Sequence, residues 1–125
     1  MLFRSIAKAR IEIEAMRLMV LRAAKAMDVM GNAEARVWVS AVKAMVPEKC
    51  CDIINEAIQM HGAAGISQWF PLADMWHGQR TLRLADGPDE VHQVVGRAEA
   101  KNRASEVASG VGAMLSSGGP TFSGP

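Results

Sequence analysis

Apolar residues recur in alternating steps of three and four from the start of the chain: Ile6, Ala9, Ile13, Met16, Val20, Ala23, Met27 and Met30. That spacing draws one stripe along an amphipathic helix. Arg4, Lys8, Arg10, Glu14, Arg17 and Lys25 fall off the stripe, and Arg10 and Glu14 stand one turn apart, where they can pair weakly. The spacing predicts a first helix over about 3–30. Gly31 suits the residue just past a helix end, and Asn32 suits the cap of the next helix. A second stripe, Val39, Val42, Val46, Cys50, Ile53 and Ala57, predicts a helix over about 33–60. Pro47 lies inside it. Proline removes one N–H and crowds the carbonyl of Lys43, so a kink or a split into two shorter helices is expected there.

Gly62 ends that helix, and Gly62-Ala63-Ala64-Gly65-Ile66-Ser67 reads as a loop. Pro71 opens a third helix near 71–84 carrying Leu72, Met75, Trp76, Leu82 and Leu84. Asp86-Gly87-Pro88 breaks it. Asp89 and Glu90 suit the N-terminus of a fourth helix near 88–108, with Val91, Val94, Val95, Ala98 and Ala100 on it. No segment alternates as a strand would. The expected fold is all-α, an antiparallel up-and-down four-helix bundle over residues 1–108. Residues 109–125, rich in Gly, Ser and Pro, are expected to be a disordered tail.

Composition narrows the function classes. The 125 residues are half hydrophobic, enough for one domain with a core. A formal net charge of +1 gives no reason to expect nucleic acid or an acidic membrane surface as partner. No apolar run approaches the roughly 20 residues a bilayer requires. The opening Met-Leu-Phe-Arg is not followed by a secretory core and cleavage site, and Glu12 and Glu14 oppose a mitochondrial presequence. Cys50 and Cys51 are neighbours and rarely bridge, so reduced thiols in an intracellular protein are expected. His61, His77 and His92 do not fall at metal-ligand spacing from them, and no metal site is expected. The nine methionines read as core filling.

Two stretches carry candidate chemistry: Ala57-Ile58-Gln59-Met60-His61-Gly62-Ala63-Ala64-Gly65, and Arg80-Thr81-Leu82-Arg83-Leu84-Ala85-Asp86-Gly87-Pro88-Asp89-Glu90-Val91-His92. A loop of small residues lets a ligand approach backbone N–H groups, and such groups bind phosphate oxygens. The same loop can equally be a tight packing turn.

Together, at this spacing, the two stretches resemble the C-terminal helical domain of acyl-CoA dehydrogenases. The resemblance begins near Ile6, in Ile-Ala-Lys-Ala-Arg-Ile-Glu-Ile-Glu, and ends near Arg103. Leu-Ala-Asp-Gly-Pro-Asp-Glu-Val-His looks like the branch that holds family members 10 and 11. The resemblance implies an FAD-dependent oxidoreductase of fatty acid β-oxidation that converts an acyl-CoA to its trans-2-enoyl-CoA. Asp86, in place of the family's more usual glutamate, would be the base that takes the α-proton. Asp86 read without the family is a helix cap. Gly87 would lie beside the substrate thioester. Gln59, Met60, His61, Gly62 and Ala63 would contact the FAD of a neighbouring subunit, and Pro88, Asp89 and Glu90 would also contact FAD. Ala63 stands where the family usually has a second glycine, and Pro88 where it often has threonine. Arg80 and Arg83 are near enough in sequence to pair with acids locally, and no catalytic role is expected of them.

The resemblance also implies a dimer or tetramer built through the helical domain. It places the protein in the mitochondrion or peroxisome of a eukaryote, or the cytoplasm of a bacterium. The family's N-terminal helical and middle β-domains hold much of the flavin and acyl-CoA. The Arg-x-x-Phe-Gly-like segment expected before Phe3 is another cofactor contact. The expectation is therefore one domain of a larger enzyme, inactive as an isolated chain. The alternative is a helical oligomerisation module that kept the fold and lost the chemistry.

Overall fold

In a computed structural model, which describes residues 2–116, the chain is helical with no strand among the described residues. Helix α1 spans Leu2–His61, a 3-10 segment follows over Gly62–Ile66, α2 spans Leu72–Leu82 and α3 spans Asp89–Ser116. The all-α expectation holds.

Helix α1 is two arms. Gly31 interrupts it with φ 80 and ψ 171, a backbone that residues with a Cβ rarely adopt. Glu12 on the first arm lies 3.9 Å from Lys49 on the second, and Arg22 stacks over Trp38 at 4.9 Å. These pairs fold the arms back on each other about residue 31, as an antiparallel hairpin. Ala26 and Ala35, on either side of the break, are almost fully buried, because only small side chains fit where the arms converge.

Pro47 does not split the helix in two: the only non-helical backbone inside α1 is at Gly31. Pro47 is buried within the second arm, so packing holds the local helix although the ring removes one hydrogen bond. The second arm's buried line also differs from the expected stripe. Ser40, Pro47, Cys51 and Ile54 are buried, while Val39 is exposed and Val46, Cys50 and Ile53 are intermediate. The line is rotated by one residue because this arm faces the first arm and also groups from α2 and α3. The helix expected near 88–108 continues to Ser116, since Gly110 and Gly112 weaken a helix without stopping it as proline would. The expected tail lies partly in that helix, and its remainder, 117–125, lies outside the described residues.

Helices α2 and α3 each pack on α1 and, among the described residues, not on each other. The first-arm stripe is covered only in part. Met16 and Ala23 are buried, whereas Ile6, Ile13, Val20, Met27 and Met30 remain exposed. Among the described residues no large side chain is fully enclosed. Among the described residues no helix is long and apolar enough to cross a membrane, and no group of three or more His, Cys, Asp or Glu residues could hold a metal ion.

Both cysteines are free, Cys51 buried and Cys50 half-buried. Burial pushes both thiols above their ordinary value. Cys51 adds to this at Cys50, whereas Arg83 and Arg80 partly oppose it at Cys51. Less thiolate is therefore present at neutral pH than in a free cysteine. Iodoacetamide at pH 7.5 is expected to label Cys50 slowly and Cys51 only after denaturation. Rapid labelling of Cys51 in the folded chain, read by peptide mass spectrometry, would contradict this packing.

Candidate functional site

The two candidate stretches stand at different heights on the second arm of α1. The first is the end of that arm. Gln59, Met60, His61, Gly62 and Ala63 are all exposed. Gly62 has φ +59 and nothing within 4 Å of the position a Cβ would occupy, so the backbone there is open to a flat ligand. His61 turns back on its own helix: Nδ1 lies 2.8 Å from the Ala57 carbonyl and the ring packs on Phe70 at 5.0 Å. Gly65 is different. It is buried, and a Cβ there would lie 2.7 Å from the Ile58 carbonyl oxygen. The two alternatives for this loop thus divide between its glycines, Gly62 on an open rim and Gly65 in a packing turn.

The second stretch is an elbow between α2 and α3. Asp86 has φ 54 and Gly87 has φ 99, so two successive residues are left-handed. Aspartate tolerates that region better than most residues, though at some cost. The elbow is closed by the Asp89 N–H donating to the Arg83 carbonyl at 3.2 Å. Helix α3 starts at Asp89, and the Val91 N–H donates to the Pro88 carbonyl at 3.0 Å. The carboxylate of Asp86 is exposed and caps no described N–H, so the cap reading of Asp86 is not what the elbow uses.

Asp89 is buried, and its Oδ2 accepts a hydrogen bond from Arg83 Nε at 2.5 Å. Its Oδ1 is enclosed with no partner among the described residues. Arg83 Nη2 also lies 3.7 Å from Glu48. The hydrogen bond that Arg83 donates to Asp89, chiefly, holds its guanidinium above its usual range. The pairing of Arg83 with Asp89 is local, as expected, and Glu48 extends it into a tie between the elbow and α1. Pro88 and Glu90 are exposed and Gly87 is half-buried.

Sequence reasoning missed the groups on α1 that meet the elbow. Lys43 Nζ donates to the Leu82 carbonyl at 2.6 Å and the Gly87 carbonyl at 3.2 Å. His92 Nε2 lies 3.3 Å from the Asp86 carbonyl and Nδ1 lies 3.4 Å from Ser40 Oγ. One tautomer serves both contacts, with Nε2–H donating and Nδ1 accepting from the serine. The only signal in the sequence was the spacing of Ser40, Lys43 and Glu48, which places them near one face of the arm.

Lys43 and Gln59 are sixteen residues apart on one helix, which separates the elbow from the glycine loop by about 24 Å. The two stretches therefore do not form one pocket within this chain.

The matching family model is described as acyl-CoA dehydrogenase, C-terminal domain, and it covers residues 2–99. The chain belongs to the acyl-CoA dehydrogenase family and has the fold of its C-terminal domain. It is 54% identical over 87 residues to rat acyl-CoA dehydrogenase family member 11, a match covering 70% of this chain and 11% of the relative. Mouse acyl-CoA dehydrogenase family member 10 is 50% identical over 99 residues, covering 78% of this chain and 9% of the relative. Mycobacterium tuberculosis FadE2, assigned as an acyl-CoA dehydrogenase, is 45% identical over 108 residues, covering 86% of this chain and 26% of the relative. A solved structure from Mycobacterium abscessus, also assigned as an acyl-CoA dehydrogenase, superposes with a TM-score of 0.79 at 44% identity, covering 81% of this chain and 25% of that one. The chain thus spans between about a tenth and a quarter of the length of these relatives.

Proposed function

We propose that this chain is the C-terminal domain of an FAD-dependent acyl-CoA dehydrogenase that introduces an α,β double bond into an acyl-CoA. The observation that carries this reading is the elbow. Asp86 presents an exposed carboxylate from a left-handed turn immediately before Gly87, and the turn is held by Lys43 from α1 and by His92 from α3.

Asp86 takes the α-proton, and its carboxylate must be ionised to do so. Gly87 lies beside the thioester, where a side chain would obstruct the substrate. Its own Cβ position is already 3.3 Å from His92 Nε2. FAD, when bound, supplies the acceptor for the hydrogen that leaves the β-carbon as hydride. The open backbone at Gly62 fits a cofactor contact, and Gln59, Met60, His61 and Ala63 flank it. Pro88, Asp89 and Glu90 form the second contact. Pro88 contributes neither N–H nor hydroxyl there, and the buried Asp89 carboxylate is engaged by Arg83. Glu90 is the exposed member of that set. The separation of about 24 Å along α1 suits contacts to two different cofactors in an oligomer, one from each stretch. The exposed apolar face of the first arm favours such association.

The test is co-expression with the N-terminal helical and middle β-domains of a related enzyme such as FadE2. A yellow complex that bleaches on addition of acyl-CoA is the expected result. Failure of the chain to join those domains, or a yellow complex that no acyl-CoA reduces, overturns the reading. The chain alone is expected to retain no stoichiometric FAD, because two open rims offer little of the enclosure that cofactor sites provide. Absorbance near 450 nm after gel filtration with added FAD checks this.

A further inference from the structure

We propose that Lys43 is a positioning residue that fixes where the Asp86 carboxylate stands, a role that rests on reading Asp86 as the base. Lys43 sits on the second arm of α1, far from the elbow in sequence. Its ammonium donates to the carbonyl of Leu82, the last residue of α2, at 2.6 Å, and to the carbonyl of Gly87 at 3.2 Å. The last carbonyls of a helix lack partners within it and carry the negative end of its dipole. A lysine is suited to that end. By bridging Leu82 and Gly87, Lys43 spans the stretch that carries Asp86.

The elbow needs such a tie. Asp86 and Gly87 are both left-handed, and a non-glycine residue stays there only when its surroundings hold it. The other ties do not replace Lys43. His92 reaches the Asp86 carbonyl from α3, itself backed by Ser40, and Arg83 binds Asp89 beyond the turn. Among the described side chains, Lys43 is the one that bridges from α1 to the carbonyls on both sides of Asp86. Without it, the segment between Leu82 and Gly87 gains freedom, and the carboxylate is less often where the α-proton is.

The experiment uses the flavoenzyme assembled from this chain and the remaining domains of a related enzyme. Lys43→Met keeps the aliphatic stem and removes the donor. Hydrogen exchange of peptides covering 83–89 is expected to speed up, with exchange in the first arm of α1 unchanged. Flavin reduction in a single turnover is expected to slow roughly 10- to 100-fold, the scale of a small misplacement of a catalytic group. The KM for acyl-CoA and the FAD content should stay near the parent values. Lys43→Arg should restore most of the rate. Lys43→Met added to Asp86→Asn should slow reduction no further than Asp86→Asn alone. If Lys43→Met does not fold, Lys43→Gln is read by the same measurements.

Unchanged exchange at 83–89 overturns the tie. Faster exchange with a parental reduction rate, or a fully additive double variant, overturns the positioning role while Asp86 stands as base. Reduction at the parental rate in Asp86→Asn removes the base assignment, and the role of Lys43 falls with it.

Discussion

Asp86→Asn, placed in the assembled flavoenzyme, is expected to leave folding and FAD content intact and to slow flavin reduction by acyl-CoA about 10²–10⁴-fold, the usual loss when a positioned general base is removed. The backbone gives the reason folding survives. Asp86 sits at φ 54, and asparagine tolerates the left-handed region as well as aspartate does. Its carboxylate is exposed and holds no described partner, so the amide breaks no internal contact. What changes is chemical: an amide cannot accept the α-proton at neutral pH. Stopped-flow absorbance near 450 nm separates this step from product release. A parental rate would leave Asp86 as a residue that shapes the turn. It would favour the helical oligomerisation module, for which the exposed apolar faces of α1 would be the working surface.

The fold was largely legible because the chain writes its helices in one period. The first stripe places Met16 and Ala23 in the core, and Gly31 marks the break between arms. The second stripe was legible only to within one residue. This arm is touched by the first arm, the 3-10 segment, α2 and α3, so Ser40 and Cys51 are buried while Val39 is not. Pro47 does not split the arm for a related reason, since a local rule about proline yields to packing around it. The candidate site divides in the same way. Asp86, Gly87 and the glycine loop are local motifs and could be read in order along the chain. Lys43, Ser40 and Glu48 meet the elbow only through tertiary packing. No spacing rule joins residues some forty positions apart.

Gly65→Ala is expected to be the most destabilising single-methyl change in the glycine loop. The added Cβ would lie 2.7 Å from the Ile58 carbonyl oxygen, 2.9 Å from Ile58 Cα and 3.1 Å from His61 Cβ. Two of those three atoms are backbone in the last turns of α1, so no side-chain rotation relieves the overlap. Either the 3-10 segment lifts off the helix or the helix end distorts. Overpacking of a close-packed site costs about 1–3 kcal/mol, and the backbone contacts place this change toward the upper end. For a domain of this size each 1 kcal/mol lowers Tm by roughly 4 °C. Gly62→Ala is the informative comparison. It meets nothing within 4 Å, and its only cost is the left-handed backbone at φ +59, about 1–2 kcal/mol. Thermal unfolding followed by circular dichroism, at one protein concentration because association raises apparent stability, should rank Gly65→Ala below Gly62→Ala and both below the parent. The flavoenzyme should show the opposite emphasis in cofactor retention per degree of Tm lost. Gly62 lies on the open rim proposed for FAD, whereas Gly65 acts only by holding that rim against Ile58. A Gly65→Ala chain as stable as the parent would mean that the segment does not pack on α1 as described, and the position of the rim would have to be redrawn.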